Sequence, residues 1–275
     1  MIKYRKKLVY LLAIILLSLS LSNCSYFIPI TNNPVSQGTY SGDFYDYSEF
    51  NRLPIYISDT YSIDDIDEYN DILMETKTHI IKANISITST ISKNLTYDKK
   101  SGSGFIFQED DTYYYAITNH HVIDGEGRPT TYEVKTYEDR SPQTASVVIS
   151  SESLDLAVIK FEKNNRTEIE MINITQRLDY RFKSDELVFA IGNPLSLTNT
   201  VSFGKYEGIA QIENVDFIVI RHSAEIFNGS SGGALVDVDG NLIGVNTWGY
   251  DDGVASFAIP NFVLYNFLIS NNIIE

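Results

Sequence analysis

The sequence predicts an all-β fold, a barrel or a sandwich, with a short helix at each end of the folded region. Three observations carry this. Short β-branched or aromatic runs recur between clusters of Gly, Asn, Asp and Ser, with no helical pattern between them. Asp239-Gly240 joins two apolar runs, Ala234 to Val238 and Leu242 to Thr247, as a two-residue hairpin turn does. No internal repeat points to a solenoid or propeller. With 275 residues, 43% hydrophobic and 12% aromatic, the chain has the material for a packed core.

Taken in order, the chain opens with Lys3, Arg5, Lys6 and Lys7 ahead of an apolar run from Leu8 to Leu21, the pattern of an export signal. That run of about 14 residues is shorter than the roughly 20 a membrane span needs. The only cysteine, Cys24, follows in Leu21-Ser22-Asn23-Cys24. This resembles the lipobox of bacterial lipoproteins and implies a signal peptide over residues 1–23, lipid attachment at Cys24 and anchoring to the outer face of a cell membrane. Asn23 departs from the pattern, which has Gly, Ala or Ser before the cysteine; the alternative is an uncleaved signal anchor. No second cysteine exists to form an intrachain disulfide.

Residues 24–61 read as an acidic, aromatic spacer without sustained periodicity, and Tyr40, Phe44, Tyr45, Tyr47 and Phe50 give it surfaces that could dock. The folded domain is expected over 62–275. Ser62 and Asp65 form a capping-box pattern, and Ile63, Ile66, Tyr69, Ile72 and Leu73 repeat at helical spacing, so a helix is expected to run to about Thr78. Strands are expected at Ile80 to Ile91, Gly104 to Gln108, Tyr113 to Thr118, Ala145 to Ser150, Leu156 to Phe161 and Leu187 to Ile191, and a last helix at Asn261 to Ser270. The formal net charge is −15, and losing the leader would remove four positive charges and no negative ones. So acidic a chain is a poor partner for nucleic acid.

Asn228 to Leu235 reads NGSSGGAL, with Ser231 between Gly229 and the Gly232-Gly233 pair. Small neighbours leave a serine hydroxyl reachable, and the N–H groups of Gly229 and Ser231 could converge on the oxygen of a tetrahedral intermediate. A polar turn is the plainer alternative. A nucleophilic serine needs a base and an acid that orients it. Of four histidines, His79 and His222 stand alone, while His120 and His121 adjoin in TNHHVI; on a strand only one of that pair would face the site, which disfavours a shared metal. Asp155 heads the apolar run Leu156 to Ile159, where a carboxylate could be partly buried against a histidine or simply solvated. Asp237 to Gly240 looks like the start of a calcium loop but lacks the glycine and glutamate that an EF-hand needs.

Together TNHHVI, DLAVIK and GSSGGAL resemble the HtrA branch of the trypsin-like, chymotrypsin-fold serine proteases, in that family's order of His, Asp and Ser. SGSGFIF, AIGNP, LVDVDGNLIGVNT and SFAIP extend the resemblance over about residues 80–270. It implies two antiparallel six-stranded β-barrels, at about 79–175 and 180–260, with the active site in the cleft between them. It further implies catalysis of peptide-bond hydrolysis by His121, Asp155 and Ser231, with Gly229, Ser231 and also Ser230 at the oxyanion hole, polypeptide substrates, and no cofactor or metal. Ser230 and Asn228 replace the family's Asn and Pro. Only about 15 residues follow Pro260, too few for the PDZ domain typical of HtrA proteases. The family's trimers imply a homotrimer assembled through Tyr40 to Phe50. Glu225, six places before the nucleophile, falls near the base of the pocket for the residue preceding the scissile bond; turned inward it would favour Arg or Lys, turned outward it would leave the family's preference for small aliphatic residues. The alternatives are a catalytically silent surface binding protein of the same fold and a glutamyl endopeptidase.

Overall fold

The computed structural model describes residues 66–164, 168–178, 186–193, 199–213, 215–249 and 256–275. Cys24, the export leader, the capping box at Ser62 and the aromatics from Tyr40 to Phe50 lie outside them. Helix α1 (Ile66–Ala83) leads into six strands, β1 (Asn84–Lys93), β2 (Thr96–Glu109), β3 (Tyr113–Thr118), β4 (Thr130–Thr136), β5 (Gln143–Ser151) and β6 (Leu156–Glu162). These close into an antiparallel barrel in the order β1-β2-β3-β6-β5-β4. A second closed barrel follows, β10-β11-β12-β9-β8-β7, built from β7 (Leu187–Gly192), β8 (Thr200–Gln211), β9 (Ile218–His222), β10 (Ala234–Val236), β11 (Leu242–Gly249) and β12 (Ser256–Pro260). A one-turn helix α2 (His120–Ile123) sits between β3 and β4, and α3 (Asn261–Ser270) closes the chain. Among the described residues, no helix is long and apolar enough to cross a membrane.

The core explains why DLAVIK shows no alternation of apolar and polar residues. On β6, Ala157, Ile159 and Phe161 fill the first barrel with Ile85, Ile87 and Val134. Leu156 and Val158 face the other way, into a larger cluster shared with Ile191, Val219 and Ile259 of the second barrel. Successive side chains on a strand point to opposite faces, and here both faces are buried. The barrels are therefore joined by a continuous apolar wall.

Three expectations need correction. The run from Ile80 is helical up to Ala83, because Thr76, Ile80 and Ala83 lie along one face of α1 and are all buried. His120 and His121 stand on the helical turn α2, so strand alternation does not separate them. The β10–β11 connection is wider than two residues: Val236 pairs with Leu242, and Asp237 to Asn241 form the loop. That loop folds around the Asp237 carboxylate, which accepts from the N–H groups of Asp239 and Asn241 at 3.0 and 2.9 Å. The fully buried Arg177 donates to it at 2.8 Å and to Glu186 at 2.7 and 3.2 Å. Glu186 and Asp237 hold the guanidinium pKa above its ordinary value although burial opposes them.

Candidate active site

Asp155 sits at the turn just before β6 with φ 51°, a left-handed conformation that Asp tolerates better than most residues. The turn is held by the Asn119 side-chain amide, which donates to the Asp155 carbonyl at 2.9 Å. From there the carboxylate reaches α2. Its Oδ1 accepts from the His121 backbone N–H at 3.0 Å, and Oδ1 and Oδ2 lie 3.0 and 2.9 Å from His121 Nδ1. A carboxylate only accepts, so Nδ1 carries the proton and Nε2 is left with a free lone pair. Gripping both the backbone and the ring of His121 fixes where that lone pair points.

The remaining capacity of Asp155 Oδ2 is taken by Thr247 Oγ1, at 2.7 Å. Thr247 also accepts through its carbonyl from Ser231 Oγ at 3.2 Å. One residue of β11 thus touches both the carboxylate of the first barrel and the serine of the second. Thr247 was missed at the level of sequence, although it closes the LVDVDGNLIGVNT motif. His120, the neighbour of His121, makes no side-chain hydrogen bond to Asp155 among the described residues.

Around Ser231 the backbone is tightly specified. Ser230 N–H donates to Phe227 O at 2.8 Å across a turn whose third residue, Gly229, has φ 102°. A positive φ at that place marks a type II turn and calls for glycine. Ser231 O accepts from Ser103 N at 2.8 Å, Gly232 N donates to Asn246 O at 2.8 Å, and Gly233 N donates to Ser230 O at 3.0 Å. Gly232 lies against the first barrel, where a Cβ would come within 2.2 Å of Ser103 O. Among the described residues, the N–H groups of Gly229 and Ser231 have no intramolecular acceptor, whereas that of Ser230 is engaged and its side chain is buried.

Glu225 is exposed, and its carbonyl accepts from Ser202 Oγ at 2.6 Å. Glu225 is thus not the buried acid that a preference for Arg or Lys would require of it. Beside it, Ile226 is buried against Gly249 at the end of β11.

Two closed barrels in which Thr247 links the Asp155–His121 pair to a glycine-flanked Ser231 define the class of two-barrel serine hydrolases. Residues 102–245 match the family model described as the trypsin-like peptidase domain, and the chain belongs to that family. Among its relatives, serine protease HTRA1 of Xenopus tropicalis is 33% identical over 178 residues, and the Do-like serine protease HtrA of Bacillus subtilis 32% identical over 194. These alignments cover 62% and 66% of this chain but only 36% and 41% of the relatives. An HtrA-type protease structure with tripeptide superposes with a TM-score of 0.59 at 26% identity, covering 74% of this chain and 62% of that one. The chain is thus an HtrA-like member of the trypsin fold.

Proposed function

We propose that the chain is a serine endopeptidase in which His121, Asp155 and Ser231 act as the catalytic triad. The supporting observation is the double grip of Asp155 on His121, which favours the tautomer with its proton on Nδ1 and leaves Nε2 as the base. Ser231 Oγ, which donates to Thr247 O in this structure, turns to His121 as substrate arrives; catalytic hydrogen bonds commonly tighten only in the complex. Ser231 Oγ attacks the peptide carbonyl while Nε2 takes its proton, and the N–H groups of Gly229 and Ser231 bind the oxygen that gains the charge. His121 then returns the proton to the departing amine, and water repeats the sequence to release the acyl group.

The enzyme acts outside the cytoplasm, tethered through a lipid on Cys24 after cleavage of residues 1–23, and the aromatics of the spacer assemble three copies. Its substrates are polypeptides met at the cell surface, either misfolded surface proteins in quality control or host proteins. A fluorophosphonate probe is expected to label Ser231 and to fail with Ser231→Ala and His121→Ala, while His120→Ala retains most peptide hydrolysis. A folded protein that neither labels nor cleaves would establish instead a silent binding protein of this fold. Mass spectrometry of the mature amino terminus decides the anchor: an unmodified Cys24 in soluble protein would overturn it. Light scattering showing a monomer at micromolar concentration would overturn the trimer.

A further inference from the structure

Two motifs, SGSGFIF and AIGNP, carry none of the triad, yet their polar residues meet behind the nucleophile turn. Ser103, fully buried on β2, makes three hydrogen bonds through its hydroxyl. It accepts from Asn193 N at 2.8 Å and from Asn193 Nδ2 at 3.1 Å, and it lies 2.6 Å from Gly229 O. Asn193 Nδ2 also reaches Ile85 O at 2.9 Å, and Asn193 Oδ1 accepts from Asn199 N at 3.0 Å and from Asn84 Nδ2 at 3.1 Å. A carbonyl can only accept and a backbone N–H can only donate, so the orientation of the Asn193 amide is fixed. With both Asn193 groups donating, the single hydroxyl proton of Ser103 must go to Gly229 O.

The peptides of the turn are unequally held. The Gly229-Ser230 peptide is fixed at both ends, its carbonyl by Ser103 and its N–H by Phe227 O. The Ser231-Gly232 peptide is likewise fixed, by Ser103 N and Asn246 O. The Asn228-Gly229 peptide has no hydrogen bond at either end among the described residues. Types I and II of this turn differ mainly by a half-rotation of that central peptide, accompanied by a change in the sign of φ at the third residue. The direction of the Gly229 N–H therefore depends on what holds the peptide after it.

We propose that Ser103, aimed by Asn193, is a positioning residue that holds the Gly229 carbonyl and so keeps the Gly229 N–H turned to receive the substrate oxygen. This rests on the peptidase reading above. Without the hydroxyl, Gly229 O and the two Asn193 donors lose their shared partner, and the Asn228-Gly229 peptide is free to rotate. The loss falls on the transition state, where the oxygen carries charge, and hardly on the bound substrate.

The experiment uses the full chain, a peptide cleaved by the unaltered protein, and a peptide boronate of the same sequence as a mimic of the tetrahedral state. Ser103→Ala is expected to lower kcat per folded molecule about tenfold or more while KM stays within about twofold, and to weaken boronate binding by the same factor as kcat/KM. The product peptide is expected to bind unchanged. A merely structural role would lower the melting temperature and the folded yield without that split. Should Ser103→Ala fail to fold, Ser103→Cys, a weaker donor of similar shape, is read by the same criteria with a smaller loss. A folded variant whose kcat and boronate affinity stay within about twofold of the unaltered protein overturns the role of Ser103. An unaltered protein that neither cleaves peptides nor reacts with fluorophosphonate overturns the peptidase reading instead.

Discussion

Thr247 donates its hydroxyl to Asp155 Oδ2 at 2.7 Å while its own carbonyl accepts from Ser231 Oγ at 3.2 Å. A strand of the second barrel therefore completes the acceptor shell of a carboxylate supplied by the first. Asp155 is left with little free capacity, since both oxygens already serve His121. Closure of the site depends on the two barrels keeping their mutual register.

Thr247→Val keeps the shape of the side chain and the carbonyl but removes the donor. A hydrogen bond to a charged group contributes about 1.5–3 kcal/mol, so kcat/KM is expected to fall by roughly ten- to a hundredfold. The drop should appear in kcat, because Thr247 orients the acid behind the base. Steady-state kinetics on one peptide check this, and an unchanged kcat in a folded Thr247→Val protein would show that His121 alone suffices to orient Asp155.

His222 is fully buried on β9, and burial pushes its pKa down to about 3. Unfolded, it would take up a proton near about 6.5. Between these values the unfolded chain binds the proton and the native protein does not, so stability falls as pH drops below about 6.5 and rises again on returning toward neutrality. His222→Phe is expected to flatten that part of the curve measured by urea unfolding. Equal slopes for both proteins would mean that other groups dominate the acid sensitivity.

The fully buried Arg177–Asp237 pair joins the segment between the barrels to the β10–β11 loop. Replacing Asp237 by Ala takes one of two carboxylates from a buried guanidinium, leaving the Glu186 pair, and leaves the loop donors of Asp239 and Asn241 without that acceptor. Breaking a buried pair in this way typically costs about 3–5 kcal/mol. Chemical denaturation is expected to show a loss of that order, with the midpoint moving to lower denaturant. A change smaller than about 1 kcal/mol would place the loop's stability in its backbone turns instead.

Much of this was legible in the sequence because the decisive signals are local. The Asp155, His121 and Ser231 motifs each fix a short backbone form, and β3, β6 and α3 fall where their apolar runs lie. The missing strands have physical reasons. β8 contains Gly204 and Gly208, which read as punctuation; Gly208 marks a bulge with φ 117°, and a Cβ at Gly204 would lie 2.1 Å from Ala224 N. The β10–β11 loop was read too short because the Asp-Gly signal hides a buried carboxylate whose partner lies 60 positions away. The roles of Ser103 and Thr247 are set by contacts between the barrels, which local pattern does not carry.

The last expectation concerns which peptides are cut. A carboxylate at the base of the specificity pocket would favour Arg or Lys only if it were buried, because an aliphatic side chain would then leave it unpaired and desolvated. Glu225 is exposed, whereas Ile226 beside it is buried against Gly249 and packs with Val188, Ala190 and Leu235 of the second barrel. An exposed charge is screened by water and contributes little to selection. Small aliphatic residues are therefore expected before the scissile bond, and Glu225→Ala is expected to leave that profile unchanged. Ile226→Phe, which enlarges the side chain packed against Gly249, is instead expected to narrow the choice toward Ala and Gly. A peptide library profiled with the unaltered protein and both variants tests this. Strong cleavage after Arg or Lys that disappears in Glu225→Ala would show that the glutamate turns inward when a basic side chain is bound.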